Sequence, residues 1–207
     1  MDSTDKFQKS WQLLDRETLH DGWFRIHRLR FEHSLFAGGK TGEVEREVFE
    51  RGHVAAVLPY DPVSDRVALI EQFRIGALHD EQDPWLVEVI AGMIEPGEEP
   101  EDMVRREARE EAGLELQSLI PIRRYYASPG GSTEVVHLYC ALTDLSEVGG
   151  LYGLDEEDED IRVLNLSADD AIVLLDDGTV RNAISVIALQ WFCLNREALK
   201  ASVAAEK

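Results

Sequence analysis

Three glutamates lie close together in segment 99–112, at spacings that place them on one side of a helix. Glu110 and Glu111 follow Glu107 by three and four residues, and at about 100° per residue these intervals bring side chains onto one face. Carboxylates on adjacent turns repel one another, and the single charge of Arg106 cannot neutralise all three. Oxygen ligands without paired histidine or cysteine favour Mg²⁺ or Mn²⁺ over zinc. The spacing predicts a divalent metal site, although a solvated acidic face is the alternative for these residues alone.

The elements around this helix are indicated by turn residues and hydrophobic periodicity. Pro100 suits a first helical turn, and Gly113 is a typical C-terminal stop. A long amphipathic pattern predicts a second helix near the C-terminus, and a capping signal predicts a short helix before it. The predicted strands are 54–60, 66–73 (joined to the first as a hairpin), 85–91, 114–122, 125–127, 135–142 and 161–166, and the long helix is 182–199. This order predicts an α+β fold, a mixed α/β/α sandwich.

The N-terminal part differs in character from the rest. Residues 11–50 alternate in the manner of strands and hold much of the alternating charge, with a turn at Gly38 and Gly39. We expect a separate antiparallel β subdomain over residues 1–50 and a main domain over residues 51–207.

Composition excludes several classes of partner. The 207 residues include 21 Lys and Arg against 41 Asp and Glu, for a net charge of −20. Such a charge disfavours binding to nucleic acid or to an anionic membrane, and no apolar run reaches the length of a membrane span. Met1 is not followed by a basic segment and an apolar core, so we expect no secretory signal. Cys140 and Cys193 lie in apolar runs, which predicts buried thiols and a cytoplasmic protein.

The acidic helix belongs to a longer motif. It consists of Gly92, five residues, Glu98, seven residues and then residues 106–114, which read REAREEAGL. This resembles the Nudix box without a gap or mismatch. The resemblance implies the Nudix fold, in which a loop–helix–loop packs on a mixed sheet and holds divalent cations that bind a diphosphate. Two or three Mg²⁺ per site are expected, with Mn²⁺ as a substitute.

The resemblance also assigns roles within the motif. Glu107 and Glu111 match the principal metal ligands, and Glu110 matches a subsidiary one. The backbone carbonyl of Ala91 is a further expected ligand, and the pair Glu98 and Arg106 is expected to orient the cluster. Cations at this position would also reverse the local sign of a surface that otherwise repels a diphosphate.

Segments outside the motif resemble the bacterial ADP-ribose pyrophosphatases over most of residues 15–200. They are 50–53, 70–74, 84–85, 91–95, 127–131, 159–163 and 182–191. The subfamily marker is a proline sixteen residues after the last glycine of the box, here Pro129. The implied reaction is Mg²⁺-dependent hydrolysis of ADP-ribose to AMP and ribose 5-phosphate. The alternatives are another nucleotide sugar such as GDP-mannose and, from a different class, a non-catalytic ligand sensor, which is expected to lose box carboxylates that this chain keeps.

The acidic segment 155–160 is the expected source of the general base. By the resemblance, Glu157 matches the base and Glu159 a third metal ligand, within a loop that closes over substrate. Neighbouring acids in the segment are alternatives for the base, and a solvated charged loop is the structural alternative for the whole segment.

The substrate contacts are implied by the same resemblance, which also predicts homodimers that exchange their N-terminal sheets. Trp23 and Phe24 match aromatic residues that stack on adenine, with Trp23 standing where a phenylalanine is expected; the alternative is that both fill the core of the small sheet. The remaining expected contacts are Arg46, Glu47, Arg51, Arg74, Met93, Ser128, Pro129, Gly130 and Glu134.

Overall fold

The computed structural model describes residues 8–80, 82–154 and 158–204, and the chain forms two compact units. The N-terminal unit comprises Met1–His53 and Tyr126–Val135, and the large unit comprises Val54–Tyr125 and Val136–Lys207. The sequence places the segment 126–135 in the main domain, whereas its contacts group it with the N-terminal strands. The reason is backbone pairing: the Phe49 N–H donates to the carbonyl of Gly131 at 2.8 Å, and the Thr133 N–H donates to the carbonyl of Phe49 at 3.1 Å.

The N-terminal unit contains a three-stranded antiparallel sheet. Its strands β1 (Trp11–Asp21), β2 (Arg25–His33) and β3 (Val44–Glu50) pair in the order β1-β2-β3. Every residue of β1 is exposed, so this sheet buries little apolar surface of its own. Cross-strand ion pairs of Arg28 with Glu17 at 2.9 Å and of Arg30 with Asp15 at 2.8 Å join β1 to β2.

The large unit is built on a mixed sheet of eight strands among the described residues. The order is β10-β11-β5-β4-β9-β8, with β6 pairing on β5 and β7 on β4. Strand β4 runs parallel to β9 but antiparallel to β5 and β7. The strands are β4 (Val54–Asp61), β5 (Arg66–Phe73), β6 (Trp85–Glu88), β7 (Ile90–Met93), β8 (Ser118–Tyr126), β9 (Val135–Leu142), β10 (Gly150–Tyr152) and β11 (Ile161–Ser167).

The predicted hairpin of β4 and β5 is paired only near its turn, at two positions including Tyr60 opposite Val67. Beyond that point the two strands separate, and β7 pairs with β4 while β6 pairs with β5. The prediction of one continuous strand over 85–91 is therefore wrong. The interruption falls at Val89, whose N–H donates to the Ser185 hydroxyl at 3.0 Å instead of joining a strand ladder.

Three helices cover the sheet in the described residues: α1 (Pro100–Ala112), α2 (Ala168–Asp176) and α3 (Ala183–Ala204), with a 3₁₀ turn at Ile75–Ala77. Helix α1 begins and ends as predicted, and Gly113 closes it with a left-handed φ of 62°. The predicted cap of α2 is confirmed, because the Ser167 side chain accepts a hydrogen bond from the Asp170 N–H.

Two apolar cores lie on opposite faces of the sheet. On one face Ala55 and Val57 of β4 pack in a cluster with Val104 and Ala108 of α1. On the other face, alternate β4 residues such as Leu58 join a cluster with α2 and α3. This alternation buries both faces of β4 and confirms the mixed α/β/α sandwich.

The two cysteines do not have the same environment. Cys140 is buried in β9, whereas Cys193 is exposed on α3, so the prediction that both are buried is wrong for Cys193. The segment around Cys193 is apolar, but the cysteine lies on the outer face of the helix. Across the described residues, no helix has both the length and the apolar character that crossing a membrane requires.

Asp65, in the turn after β4, anchors that turn to the helices behind the sheet. Its carboxylate accepts hydrogen bonds from Arg196 Nε at 2.9 Å, Lys200 Nζ at 2.9 Å and the Tyr60 hydroxyl at 2.8 Å. Its backbone carbonyl accepts from the Ala168 N–H at the start of α2. The hydrogen bond from Arg196, supported by Lys200, holds the pKa of Asp65 well below its ordinary value.

We expect Asp65→Asn to lower the free energy of unfolding by about 1–2 kcal/mol at neutral pH, because charge-assisted hydrogen bonds become weaker neutral ones. A carboxyl group whose pKa is lower in the folded state than in the unfolded state stabilises the fold at any pH above its unfolded-state pKa. This stabilisation is lost as the pH falls through the folded-state pKa. The difference from wild type should therefore be full at pH 6 and shrink below about pH 4 in urea titrations. The control is Glu197→Gln, which changes an exposed acid on α3 next to Arg196. A difference between Asp65→Asn and wild type that does not change with pH would contradict this account.

Candidate functional site

The side chain of Glu107 on helix α1 lies directly against Gly92 of β7. A Cβ placed on Gly92 would lie 2.0 Å from Glu107 Oε1, far inside van der Waals contact. Glycine at this position therefore leaves the space through which the Glu107 carboxylate passes the strand. The first residue of the predicted motif thus has a structural role that its spacing alone does not reveal.

Glu111 is buried, with only 3% of its surface exposed, one turn further along α1. The Ala91 N–H approaches its Oε2 at 3.4 Å. Burial, reinforced by the negative charges of Glu107 and Glu159, raises the pKa of Glu111 well above its ordinary value, while Arg74 opposes this rise. A solvated helix face, the alternative for the three glutamates, does not describe this residue.

Glu107 shares this environment. Burial raises its pKa to about 7, and the charges of Glu110 and Glu159 add to the effect while Arg106 opposes it. The three acids Glu107, Glu111 and Glu159, here called the carboxylate cluster, therefore interact through their charges. Within the described ranges, no three His, Cys, Asp or Glu side chains already converge at ligand distance.

The carboxylate cluster suits a divalent cation. Its donors are all oxygen atoms, and burial and mutual repulsion disfavour the charged forms of Glu107 and Glu111 until a positive charge is added. A hard cation such as Mg²⁺ fits both conditions, whereas a zinc site would more often include histidine or cysteine. The residues present therefore fit the metal that the sequence predicts.

Arg106 connects three of the predicted acids. Its Nε donates to Glu98 Oε1 at 3.0 Å, and its Nη1 donates to Glu107 Oε1 at 3.0 Å and Glu110 Oε2 at 2.9 Å. The second oxygen of Glu98 accepts from the Glu95 N–H at 3.0 Å, which ties the loop before α1 to the same group. The structure thus brings Glu98, Arg106, Glu107 and Glu110 together, as an orienting role for Glu98 and Arg106 requires.

Two glycines make close contacts near Glu159 and the end of α1. A Cβ on Gly153 would lie 2.5 Å from the carbonyl oxygen of Glu159, and a Cβ on Gly113 would lie 2.8 Å from the ring of Tyr152. Both glycines permit an approach that another residue would block, so the end of α1 and the start of the loop pack tightly. Glu157, the predicted base, lies outside the described residues.

The predicted substrate contacts fall in both units. The N-terminal unit contains nine of them, and Arg74 and Met93 belong to the large unit, where the side chain of Arg74 is paired with Glu88 at 2.7 Å. The nine are Trp23, Phe24, Arg46, Glu47, Arg51, Ser128, Pro129, Gly130 and Glu134.

Within the N-terminal unit, Arg51 forms the centre of a small group of these residues. Its guanidinium lies 5.7 Å from the ring centroid of Phe24, and its Nε lies 3.1 Å from Glu134 Oε2. Phe24 also packs edge-on against Phe49 at 5.1 Å between ring centroids. Trp23 is 89% exposed. The core-filling alternative therefore suits Phe24 but not Trp23, whose ring is free to meet a ligand.

Two residues next to the site are missed by sequence reasoning. Glu88 is buried in the strand before Ala91, and Asn182 donates to it at 2.6 Å from the start of α3. The signal available in the sequence is a single carboxylate within the apolar segment 85–91. Its partners are distant in sequence, so only the folded chain reveals what neutralises it.

The fold is an α/β/α sandwich in which a glutamate-rich helix packs against a mixed sheet. Comparison with known families gives a match to the NUDIX domain over residues 50–189. The chain belongs to the Nudix family.

Similar proteins include curated relatives that span almost the whole chain. The ADP-ribose pyrophosphatase of Escherichia coli K12 is 48% identical over 189 residues, covering 91% of this chain and 90% of the relative. That of Haemophilus influenzae Rd is 42% identical, covering 94% and 91%. The GDP-mannose pyrophosphatase of Klebsiella pneumoniae is 35% identical, covering 84% and 86%. A crystal structure described as an ADP compounds hydrolase shares the fold, with a TM-score of 0.67 at 19% identity over 93% of this chain and 95% of that one.

We expect Gly92→Ala to weaken Mg²⁺ binding about 10- to 100-fold, because the new methyl group displaces the Glu107 carboxylate. Isothermal titration with Mg²⁺ alone measures this effect, and a thermal melt verifies the fold. Gly42→Ala is the matched control, since a Cβ there meets nothing within 4 Å and leaves Mg²⁺ affinity unchanged. Wild-type affinity in Gly92→Ala would show that the close contact has no bearing on the metal.

Proposed function

We propose that the protein hydrolyses the diphosphate bond of ADP-ribose, in a Mg²⁺-dependent reaction, to AMP and ribose 5-phosphate. The observation that carries the proposal is the carboxylate cluster, in which burial and mutual repulsion raise the pKa of Glu107 and of Glu111 and so favour a bound cation. It lies on a chain with a net charge of −20 that otherwise repels a diphosphate. The choice of substrate is supported by the relatives named ADP-ribose pyrophosphatase, which align over about nine tenths of both chains.

The Nudix family generally uses divalent metal ions. In this chain we assign metal binding to Glu107, Glu111, Glu159 and the carbonyl of Ala91, with Glu110 as a subsidiary ligand. Two or three Mg²⁺ per site are proposed, with Mn²⁺ as a substitute. Bound cations of this kind neutralise diphosphate charge, activate water and stabilise the charge that develops on the leaving oxygen.

The chain's own residues are proposed to orient the reactants. The hydrogen bonds of Arg106 keep Glu98, Glu107 and Glu110 in one arrangement, so the cluster needs little reorganisation. Arg74 is proposed to bind a phosphate oxygen through its guanidinium. Glu157 is proposed to take the proton of the water that attacks phosphorus in line with the leaving oxygen.

Recognition of the nucleoside is assigned to the aromatic and charged residues of the N-terminal unit. Trp23 and Phe24 are proposed to stack on adenine, because an aromatic face binds a base without adding charge. The other proposed substrate contacts are Arg46, Glu47, Arg51, Met93, Ser128, Pro129, Gly130 and Glu134.

We also propose a cytoplasmic homodimer in which the N-terminal β subdomain, residues 1–50, is exchanged between copies. Exposed side chains on the N-terminal unit support this: Trp11 is 79% exposed and Phe36 is 87% exposed, which is unusual for a monomer. The free thiols Cys140 and Cys193 suit a reducing compartment. Sedimentation equilibrium should give twice the chain mass of 23.4 kDa, and a mass equal to one chain would exclude the dimer.

A second nucleotide sugar is the alternative substrate. Relatives named GDP-mannose pyrophosphatase align over most of the chain at 33–35% identity. The higher identity of the ADP-ribose pyrophosphatases favours ADP-ribose.

A substrate panel in ¹⁸O-labelled water tests the proposed function. With Mg²⁺, ADP-ribose should be turned over with a higher kcat/KM than GDP-mannose, and the label should enter only one of the two products. Mass analysis of AMP and ribose 5-phosphate then identifies the attacked phosphorus.

Glu111→Gln should fold but lose turnover, since it removes a metal ligand. Preference for another nucleotide sugar, or full activity in Glu111→Gln, would refute the proposal.

We expect Glu157→Gln to lower kcat about 10²- to 10⁴-fold with little change in Mg²⁺ affinity, because a general base acts in the chemical step. Steady-state rates and Mg²⁺ titration separate the two quantities. Glu159→Gln is the comparison, and it should instead weaken Mg²⁺ binding. If Glu157→Gln retains wild-type kcat while Glu156→Gln is inactive, the base is assigned to the wrong acid.

A further inference from the structure

Arg74 is held at one side of its guanidinium and is free at the other. Its Nε donates to Glu88 Oε2 at 2.7 Å, and its backbone N–H donates to the carbonyl of Pro84 at 2.9 Å. Among the described residues, neither terminal nitrogen of Arg74 donates a hydrogen bond, and 41% of the side chain is exposed. The arginine thus has a fixed attachment and an open pair of donors, which is the arrangement that binds an oxyanion.

The attachment point is a carboxylate buried in the protein. Glu88 is 2% exposed, and each of its oxygens has one partner: Oε2 accepts from Arg74 and Oε1 accepts from Asn182 Nδ2 at 2.6 Å. A buried carboxylate is tolerated only when it is paired and hydrogen-bonded. The two partners therefore fix the Glu88 side chain in one orientation.

Asn182 is itself fixed by the start of α3. Its Oδ1 accepts hydrogen bonds from the N–H groups of Ile184 at 2.9 Å and Ser185 at 3.3 Å, as a helix cap does. With the oxygen directed at the helix, the amide nitrogen must face Glu88. The neighbouring Arg181 bonds to the carbonyl of Asp83, so the same helix start also holds the loop before β6.

We propose that Glu88 and Asn182 are positioning residues. They connect Arg74 to the start of α3 by hydrogen bonds and so hold its free donors in the orientation that binds the diphosphate. The proposal rests on the proposed function, in which Arg74 binds a phosphate oxygen. Because a guanidinium is planar, attachment at Nε sets the direction of its terminal nitrogens. The charge of Arg74 also lowers the pKa of Glu111, so Arg74 interacts electrostatically with the carboxylate cluster.

Glu88→Gln is the first test. A glutamine side chain has one acceptor in place of two, so it can satisfy either Arg74 or Asn182 but not both. We expect KM for the substrate that the panel identifies to rise about tenfold, with kcat changed less than about threefold, because ground-state and transition-state binding are lost together. Steady-state kinetics at saturating Mg²⁺ measures both constants, and a thermal melt verifies the fold.

A double-mutant cycle with Arg74→Ala separates positioning from a general structural effect. If Glu88 acts through Arg74, adding Glu88→Gln to Arg74→Ala changes KM no further. Ser185→Ala is the matched control, because the Ser185 hydroxyl is buried and accepts from the Val89 N–H, and among the described residues it forms no hydrogen bond with Glu88 or Arg74. It should lower the melting temperature and leave KM unchanged.

Asn182→Ser provides an independent test, also for the case in which Glu88→Gln does not fold. Serine still caps a helix, but its short side chain does not reach Glu88, so KM should rise while the melting temperature stays near wild type. An unchanged KM in Asn182→Ser or in folded Glu88→Gln, or additive effects in the Arg74→Ala background, would overturn the proposal. If the panel identifies another nucleotide sugar, ADP-ribose hydrolysis is refuted, while the KM comparison on that substrate still tests the positioning role.

Discussion

The structure depends on a repulsion that the fold keeps in place. Glu107 and Glu111 are brought together by consecutive turns of α1, and the charge of Glu159 adds to theirs. Burial of Glu111 makes the charged form costly, because water no longer solvates it. A surface helix would relieve such a repulsion by turning its acids outward. Here the apolar stripe of the same helix, including Val104 and Ala108, is packed into the sheet, so the acids cannot turn away.

Two kinds of contact keep this arrangement. Close packing is the first: glycine at position 92 leaves room for the Glu107 carboxylate beside β7, and Gly113 lets the helix end against Tyr152. Compensating charge is the second. Arg106 donates hydrogen bonds to Glu107 and Glu110, and the charge of Arg74 offsets part of the repulsion at Glu111. Neither arginine removes the repulsion completely, since the pKa of Glu107 and the pKa of Glu111 both stay raised. The fold thus holds these acids close together in spite of their repulsion, as the proposed metal site requires.

Much of the local structure follows from nearby residues. Pro100 and Gly113 define α1 because each acts on its own turn, and the alternation in β4 matches burial on both faces. The failures involve partners far apart in sequence. Segment 85–91 reads as one strand, yet Ser185 takes the Val89 N–H and divides it. The pairing of segment 126–135 with Phe49 also joins residues far apart in sequence, and no local pattern predicts it. Cys193 lies in an apolar segment, but the helix face that it occupies is exposed.

The sequence by itself determined the chemical class of the site, because residues three and four apart on one helix must share a face whatever surrounds them. It also determined the family, since the spacing of the motif from Gly92 to Leu114 is a local property. Only the tertiary structure decided which acids are buried, why position 92 is glycine and how Arg74 is held. These depend on the distance between elements, and that distance is set by packing across the sheet and by partners such as Glu88 and Asn182, which lie 94 residues apart.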